Sequence, residues 1–152
     1  MELKDIIKEP VIVSEDTSFE EALRTMVNEQ TNSLLVINSD GELSGEVTVS
    51  DLLDAIVPEY LDGDSIAADF ATEEMFEEAV KDAAGKPVRE FMSVDTDPVH
   101  VDDGLMAVAA TAIARQQARI PVVDHDNRPI GVISRRGLKH IIAKYLNIAD
   151  SA

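Results

Sequence analysis

The chain has 152 residues and no Cys, so disulfides and thiolate chemistry are excluded, and the length suits one compact domain or two small ones sharing a core. Its 30 acidic and 13 basic residues leave a net charge of −17, a surface that repels nucleic acid and anionic membranes. No apolar run approaches the ~18 residues that a membrane-crossing helix needs.

The start, Met1-Glu2-Leu3-Lys4-Asp5, lacks the basic and apolar regions of a secretory signal, so a cytoplasmic protein is expected. Pro10-Val11-Ile12-Val13 reads as a short extended piece. Phe19, Ala22, Leu23, Met26 and Val27 then fall on one helical stripe, with Thr17 and Glu20 at capping-box spacing as its opening. Leu34-Leu35-Val36-Ile37 predicts a buried strand, Asp40-Gly41 a turn suited to positive φ, and Gly45-Glu46-Val47-Thr48-Val49 the second strand of a hairpin. Leu52, Ala55 and Ile56 mark a closing helix.

Residues 58–86 stand apart as an inserted helical linker. Thr72 is a plausible N-cap, and acids fill the first turn. Phe76, Ala79, Val80 and Ala83 form an apolar stripe, and Gly85 with Pro87 signals the stop. Such a helix either caps the module or serves as a dimer or partner contact.

The first pattern then returns. Pro98-Val99-His100-Val101 is extended, and Leu105, Val108, Ala109, Ala112 and Ile113 repeat the stripe. Ile120-Pro121-Val122-Val123, the turn Asp126-Asn127 and Gly131-Val132-Ile133-Ser134-Arg135 repeat the hairpin, and Leu138, Ile141 and Ile142 repeat the closing helix. Each half reads β-α-β-β-α in about 50 residues, small for an independent core. The expected architecture is therefore α/β: two pseudo-symmetric halves packed sheet to sheet, with the helical insert between them in sequence. The expected boundaries are 1–57, 58–86, 87–146 and a C-terminal tail 147–152.

Gly45-Glu46-Val47-Thr48-Val49-Ser50-Asp51-Leu52 resembles the closing motif of cystathionine-β-synthase-type (CBS) repeats: glycine, a strand with Ser or Thr, then Asp three residues later at a helix start. Leu3-Lys4-Asp5-Ile6-Ile7 and Val88-Arg89-Glu90-Phe91-Met92 resemble the family's lead-in turn, and Arg119-Ile120-Pro121-Val122-Val123 its apolar strand with proline. Two copies in register are a far more specific signal than one. The resemblance implies a standalone tandem pair, a Bateman module, with two related sites in the cleft between repeats. It implies regulation rather than catalysis, an adenosyl ligand such as AMP, ADP, ATP or S-adenosylmethionine, a homodimer, and an unidentified regulated protein. No obligatory cofactor and no membrane or nucleic-acid partner is expected.

Asp51 is the candidate ribose acceptor, and Thr48 with the helix N-terminus the candidate phosphate donor. Val11, Ile12 and Val47 are the candidate adenine walls. As a plain helix-start acid, Asp51 would contribute only about 0.3–1 kcal/mol. In the second repeat Gly137 replaces the Asp, so a second nucleoside site is in doubt. Arg119, Ser134, Arg135 and Arg136 remain there as candidates for an anion. They lie in the basic last quarter, with Arg115, Arg128, Lys139 and Lys144, a region that equally well pairs with the acidic body. His100, His125 and His140 have no metal-site spacing. No nucleophile elbow, P-loop or dinucleotide fingerprint occurs, so no enzyme is expected. The competing reading is an oligomerisation scaffold that binds no ligand.

Overall fold

The computed structural model describes residues 2–57, 72–115 and 119–149. The first fourteen residues of the expected insert, 58–71, lie outside them. The chain forms two compact units, each built around one three-stranded sheet. The first-sheet unit comprises Val11–Ser39 and Ser44–Val94; the second-sheet unit comprises Met1–Pro10, Asp40–Leu43 and Asp95–Ala152.

The strands of the first sheet are β1 (Ile12–Ser14), β2 (Ser33–Ile37) and β3 (Leu43–Thr48, all but Leu43 within the first-sheet unit), in spatial order β1-β2-β3. β1 runs parallel to β2, with Ile12 opposite Leu35 and Val13 opposite Val36. Parallel neighbours need a crossover, which helix α1 (Phe19–Glu29) supplies. Ser18 caps α1, its hydroxyl accepting from Glu21 N at 3.1 Å. This corrects the expected opening at Thr17, whose Oγ1 instead accepts from Ser14 N at 3.2 Å. α1 ends on Gln30 in the left-handed region, φ 53°.

Helices α2 (Val49–Ile56) and α3 (Glu73–Ala83) complete the unit. Thr72 caps α3 as expected, accepting from Met75 N at 3.2 Å. The apolar stripe of α3 is only partly used. Ala83 enters the core, whereas Phe76 is 55% exposed. That core consists of Phe19, Ala22, Met26, Leu34, Val36, Val47, Leu52, Ala83 and Val88. Phe91 stands edge-on to Phe19 at 5.7 Å between ring centres. The α1 stripe narrows too: Phe19, Ala22 and Met26 are buried, but Leu23 and Val27 are exposed.

In the second-sheet unit β4 (Val99–His100) runs parallel to β5 (Arg119–Val123), which runs antiparallel to β6 (Pro129–Ser134). Helices α4 (Leu105–Ala114) and α5 (Arg135–Tyr145) join Leu3, Ile6 and the strands in a second core. The hairpin turns carry positive φ where expected, 81° at Gly41 and 61° at Asn127. Both halves of the chain thus run β-α-β-β-α, the mixed α/β pattern read from the repeats.

The lead-in turns are exchanged with respect to chain order. The 3-10 turn Val88–Glu90 precedes β4, yet it belongs to the first-sheet unit. Just beyond it, Ser93 and Glu46 exchange two backbone hydrogen bonds of 2.9 Å. The turn Leu3–Asp5 precedes β1, yet Lys8 exchanges two 2.9 Å bonds with Val132 of β6 in the second-sheet unit. Glycine permits each approach. A Cβ on Gly45 would lie 2.9 Å from Ser93 O, and one on Gly131 the same distance from Lys8 O.

Candidate functional site

The junction of β3 and α2 gathers the best-defined polar cluster of the first-sheet unit. Thr48 ends the strand in an extended conformation and caps the helix. Its Oγ1 accepts from Asp51 N at 3.3 Å, and its own N–H donates to Asp51 Oδ2 at 2.8 Å. This reciprocal capping box satisfies two backbone donors at once. Thr48 Oγ1 also donates to Asp51 Oδ2 at 3.2 Å. The other carboxylate oxygen, Oδ1, accepts from the hydroxyl of Ser93 at 2.8 Å. The Asp51 side chain is therefore half-buried and fixed in direction by both flanking segments.

The proposed apolar walls fare differently. Val47 is fully buried in the core and presents no free face. Val11 packs partly against the same core, while its carbonyl accepts from Leu35 N at 2.9 Å. Ile12, on the outer strand, is 39% exposed. Of the three, Ile12 offers the most apolar surface to a ligand.

In the second-sheet unit Ser134 repeats the role of Thr48, capping α5 by accepting from Gly137 N at 3.1 Å. Arg119 lies directly opposite Ser134 across β5 and β6. Arg135 is engaged elsewhere. Its Nη2 donates to Ala112 O at 3.1 Å and Arg115 O at 2.7 Å. A cation on the last carbonyls of α4 stabilises that helix end. Arg136 is exposed. Buried Arg115 likewise serves the backbone, donating to the carbonyls of Thr96 and Arg119.

Gly137 is not an open gap. Ile6 packs onto it, and a Cβ there would lie 3.2 Å from Ile6 Cβ. An acid at that position would have to displace the lead-in. The candidate residues thus fall into two sets, Thr48, Asp51, Val11, Ile12 and Val47 in one unit and Arg119, Ser134, Arg135 and Arg136 in the other.

Ser93 escaped the sequence reading, which followed the lead-in only to Met92. The available signal was its offset: Ser93 aligns with Lys8, as Asp51 aligns with Gly137, so two positions differ together between the repeats. A separate cavity of about 650 Å³ in the first-sheet unit is lined by Asp54, Val57, Ala79, Asp82, Lys86 and Glu90, among others. Its three carboxylates against one ammonium disfavour an anionic ligand. Among the described residues no group of three His, Asp or Glu is arranged to hold a metal, and no helix is long and apolar enough to cross a membrane.

The CBS-domain family model matches residues 3–58 and 88–144. The chain is 29% identical to the uncharacterized protein MJ1426 of Methanocaldococcus jannaschii over 149 residues, covering 91% of this chain and 89% of that one. Among solved structures it resembles the CBS-pair protein CBSX2 of Arabidopsis thaliana, with TM-score 0.74, 24% identity, and 97% and 98% of the two chains covered. CBSX2 in complex with AMP gives TM-score 0.69 at 23% identity, covering 95% and 98%. The CBS domain pair of protein MJ0100, in complex with 5′-methylthioadenosine and S-adenosyl-L-methionine, gives 0.66 at 20%, covering 93% and 99%.

Proposed function

The chain belongs to the CBS-domain family as a tandem pair, and we propose on that premise that it is a regulatory, non-catalytic module sensing an adenosyl ligand through Asp51. AMP, ADP, ATP and S-adenosylmethionine are the candidate ligands, and a partner protein reads the bound state. The observation that carries this reading is the carboxylate of Asp51, locked by the capping box so that Oδ1 faces Ser93. A fixed acceptor at a strand–helix junction suits sugar hydroxyls, and ligands of this chemistry occupy the related CBSX2 and MJ0100 pairs.

One ligand per chain is expected, because Ile6 fills the space over Gly137 where a second sugar anchor would stand. Ligand binding to the folded state raises the thermal midpoint, by RT ln(1 + [L]/Kd) in free-energy terms. Thermal denaturation against AMP, ADP, ATP, 5′-methylthioadenosine and S-adenosylmethionine therefore tests the reading. A shift with at least one of them, abolished in Asp51→Ala, is the expected result. No shift at millimolar concentrations of any of them refutes it.

A second reading, a ligand-free homodimeric scaffold, is favoured by apolar surface on the helices. Met106 and Ile113 of α4 are each 85% exposed, and Ile142 and Tyr145 of α5 are more than half exposed. It predicts a dimer in sedimentation whose mass and stability are indifferent to every ligand above.

A further inference from the structure

We infer that Ser93 is a second sugar-binding residue, so that a cis-diol is held between Asp51 Oδ1 and Ser93 Oγ rather than by the two oxygens of the carboxylate. The inference deepens the proposed function and rests on Asp51 being the sugar anchor. Its basis is acceptor capacity. Oδ2 already receives the Thr48 N–H and the Thr48 hydroxyl, which occupy its two lone pairs. A diol that took both carboxylate oxygens would have to break the cap of α2. Among the described residues Oδ1 receives only the Ser93 hydroxyl, at 2.8 Å, and keeps one lone pair. Ser93 Oγ donates there and keeps its own acceptor lone pairs.

Oδ1 and Ser93 Oγ thus form a ready acceptor pair, spaced close to the vicinal oxygens of a furanose cis-diol. Binding through this pair leaves every hydrogen bond of the capping box in place. The backbone of Ser93 is independently fastened to Glu46 by two bonds, so its hydroxyl is placed without help from the ligand. The second unit supports the pairing. There Gly137 replaces the acid and Lys8, which donates but cannot accept, replaces the serine. Both halves of the acceptor pair are missing together.

The test is a cycle between protein and ligand hydroxyls. Calorimetric titration uses AMP or 5′-methylthioadenosine, whichever binds more tightly, with its 2′-deoxy and 3′-deoxy forms. Wild type should lose roughly three- to tenfold for each missing hydroxyl. In Ser93→Ala the parent ligand should weaken by a similar factor, and one deoxy form should then bind as tightly as the parent. Ser93→Thr should restore the wild-type pattern. Circular dichroism checks folding, and Ser93→Cys, similar in size but a weak acceptor, replaces alanine should that variant not fold. If the serine variants keep both wild-type deoxy ratios, Ser93 is no anchor although the Asp51 reading stands. If wild type binds none of these compounds, both fall together.

Discussion

Replacing Gly131 by Ala should unseat the N-terminal lead-in. The added methyl would collide with Ile7 Cγ2 and lie 2.9 Å from Lys8 O. Ile7 is branched at Cβ and has little freedom to turn away. Relief must come from a retreat of the lead-in, which stretches the two 2.9 Å bonds between Lys8 and Val132. Overpacking costs about 1–3 kcal/mol, and a weakened hydrogen bond adds up to about 1 kcal/mol, so a loss of about 2–3 kcal/mol is expected. With a urea m-value of about 2 kcal/mol/M the unfolding midpoint should fall by roughly 1 M. Gly45→Ala should cost somewhat less, about 1–2 kcal/mol, because its nearest collision is with the flexible Sδ of Met92, although Ser93 O also lies 2.9 Å away. Gly85→Ala meets nothing within 4 Å and should be neutral or slightly stabilising, whereas Gly104→Ala, equally uncrowded, puts a poorer cap on α4 and should bring no gain. Ile7→Ala in the Gly131→Ala background should recover part of the loss, a less-than-additive cycle. A Gly131→Ala midpoint within error of wild type would refute the claim that glycine is needed for the approach.

Arg135→Ala should cost about 1–3 kcal/mol in urea unfolding, because it uncaps the carbonyls of Ala112 and Arg115, while exposed Arg136→Ala should stay within about 0.5 kcal/mol. Gln30→Gly should raise the midpoint, since Gln30 sits at φ 53° after α1, where glycine is unstrained; a gain of up to about 1 kcal/mol is expected. The carboxyl of Asp124 is held below the ordinary range, chiefly by the backbone N–H of Arg128, which outweighs the opposing effect of burial, with further help from the N–H of Asp126. A depressed folded pKa gives stability that is present above the unfolded value and lost as pH falls through the folded one. Asp124→Asn should therefore lower stability above the ordinary carboxylate range and flatten the acid limb below it, so that the two profiles converge at low pH; an unchanged limb refutes this.

The repeats were legible because their apolar positions recur with helical and strand periods, and burial enforces those periods. What escaped depended on three-dimensional crowding. Thr17 and Ser18 both precede an acid at capping distance, and only the path from β1 into α1 selects Ser18. Val47 fits a ligand wall by composition, yet strand alternation turns it into the core. Phe76 lies on a clear stripe, but α3 commits only its C-terminal end to the core. Arg135 reads as an anion ligand until the end of α4 is seen to claim it. The pairing of Thr48 with Asp51 was legible because their spacing is local. Ser93 was not, because its link to Asp51 spans 42 positions and rests on an exchanged lead-in.

That exchange has a consequence for biosynthesis. The second-sheet unit joins the first ten residues to strands and helices that begin at Asp95. On the ribosome residues 1–10 must wait, without their β6 partner, until Pro129–Ser134 has emerged. The residues of the first-sheet unit all lie at or before Val94 and emerge earlier. Maturation should thus run in a fixed sequence, with the module's opening residues among the last to settle.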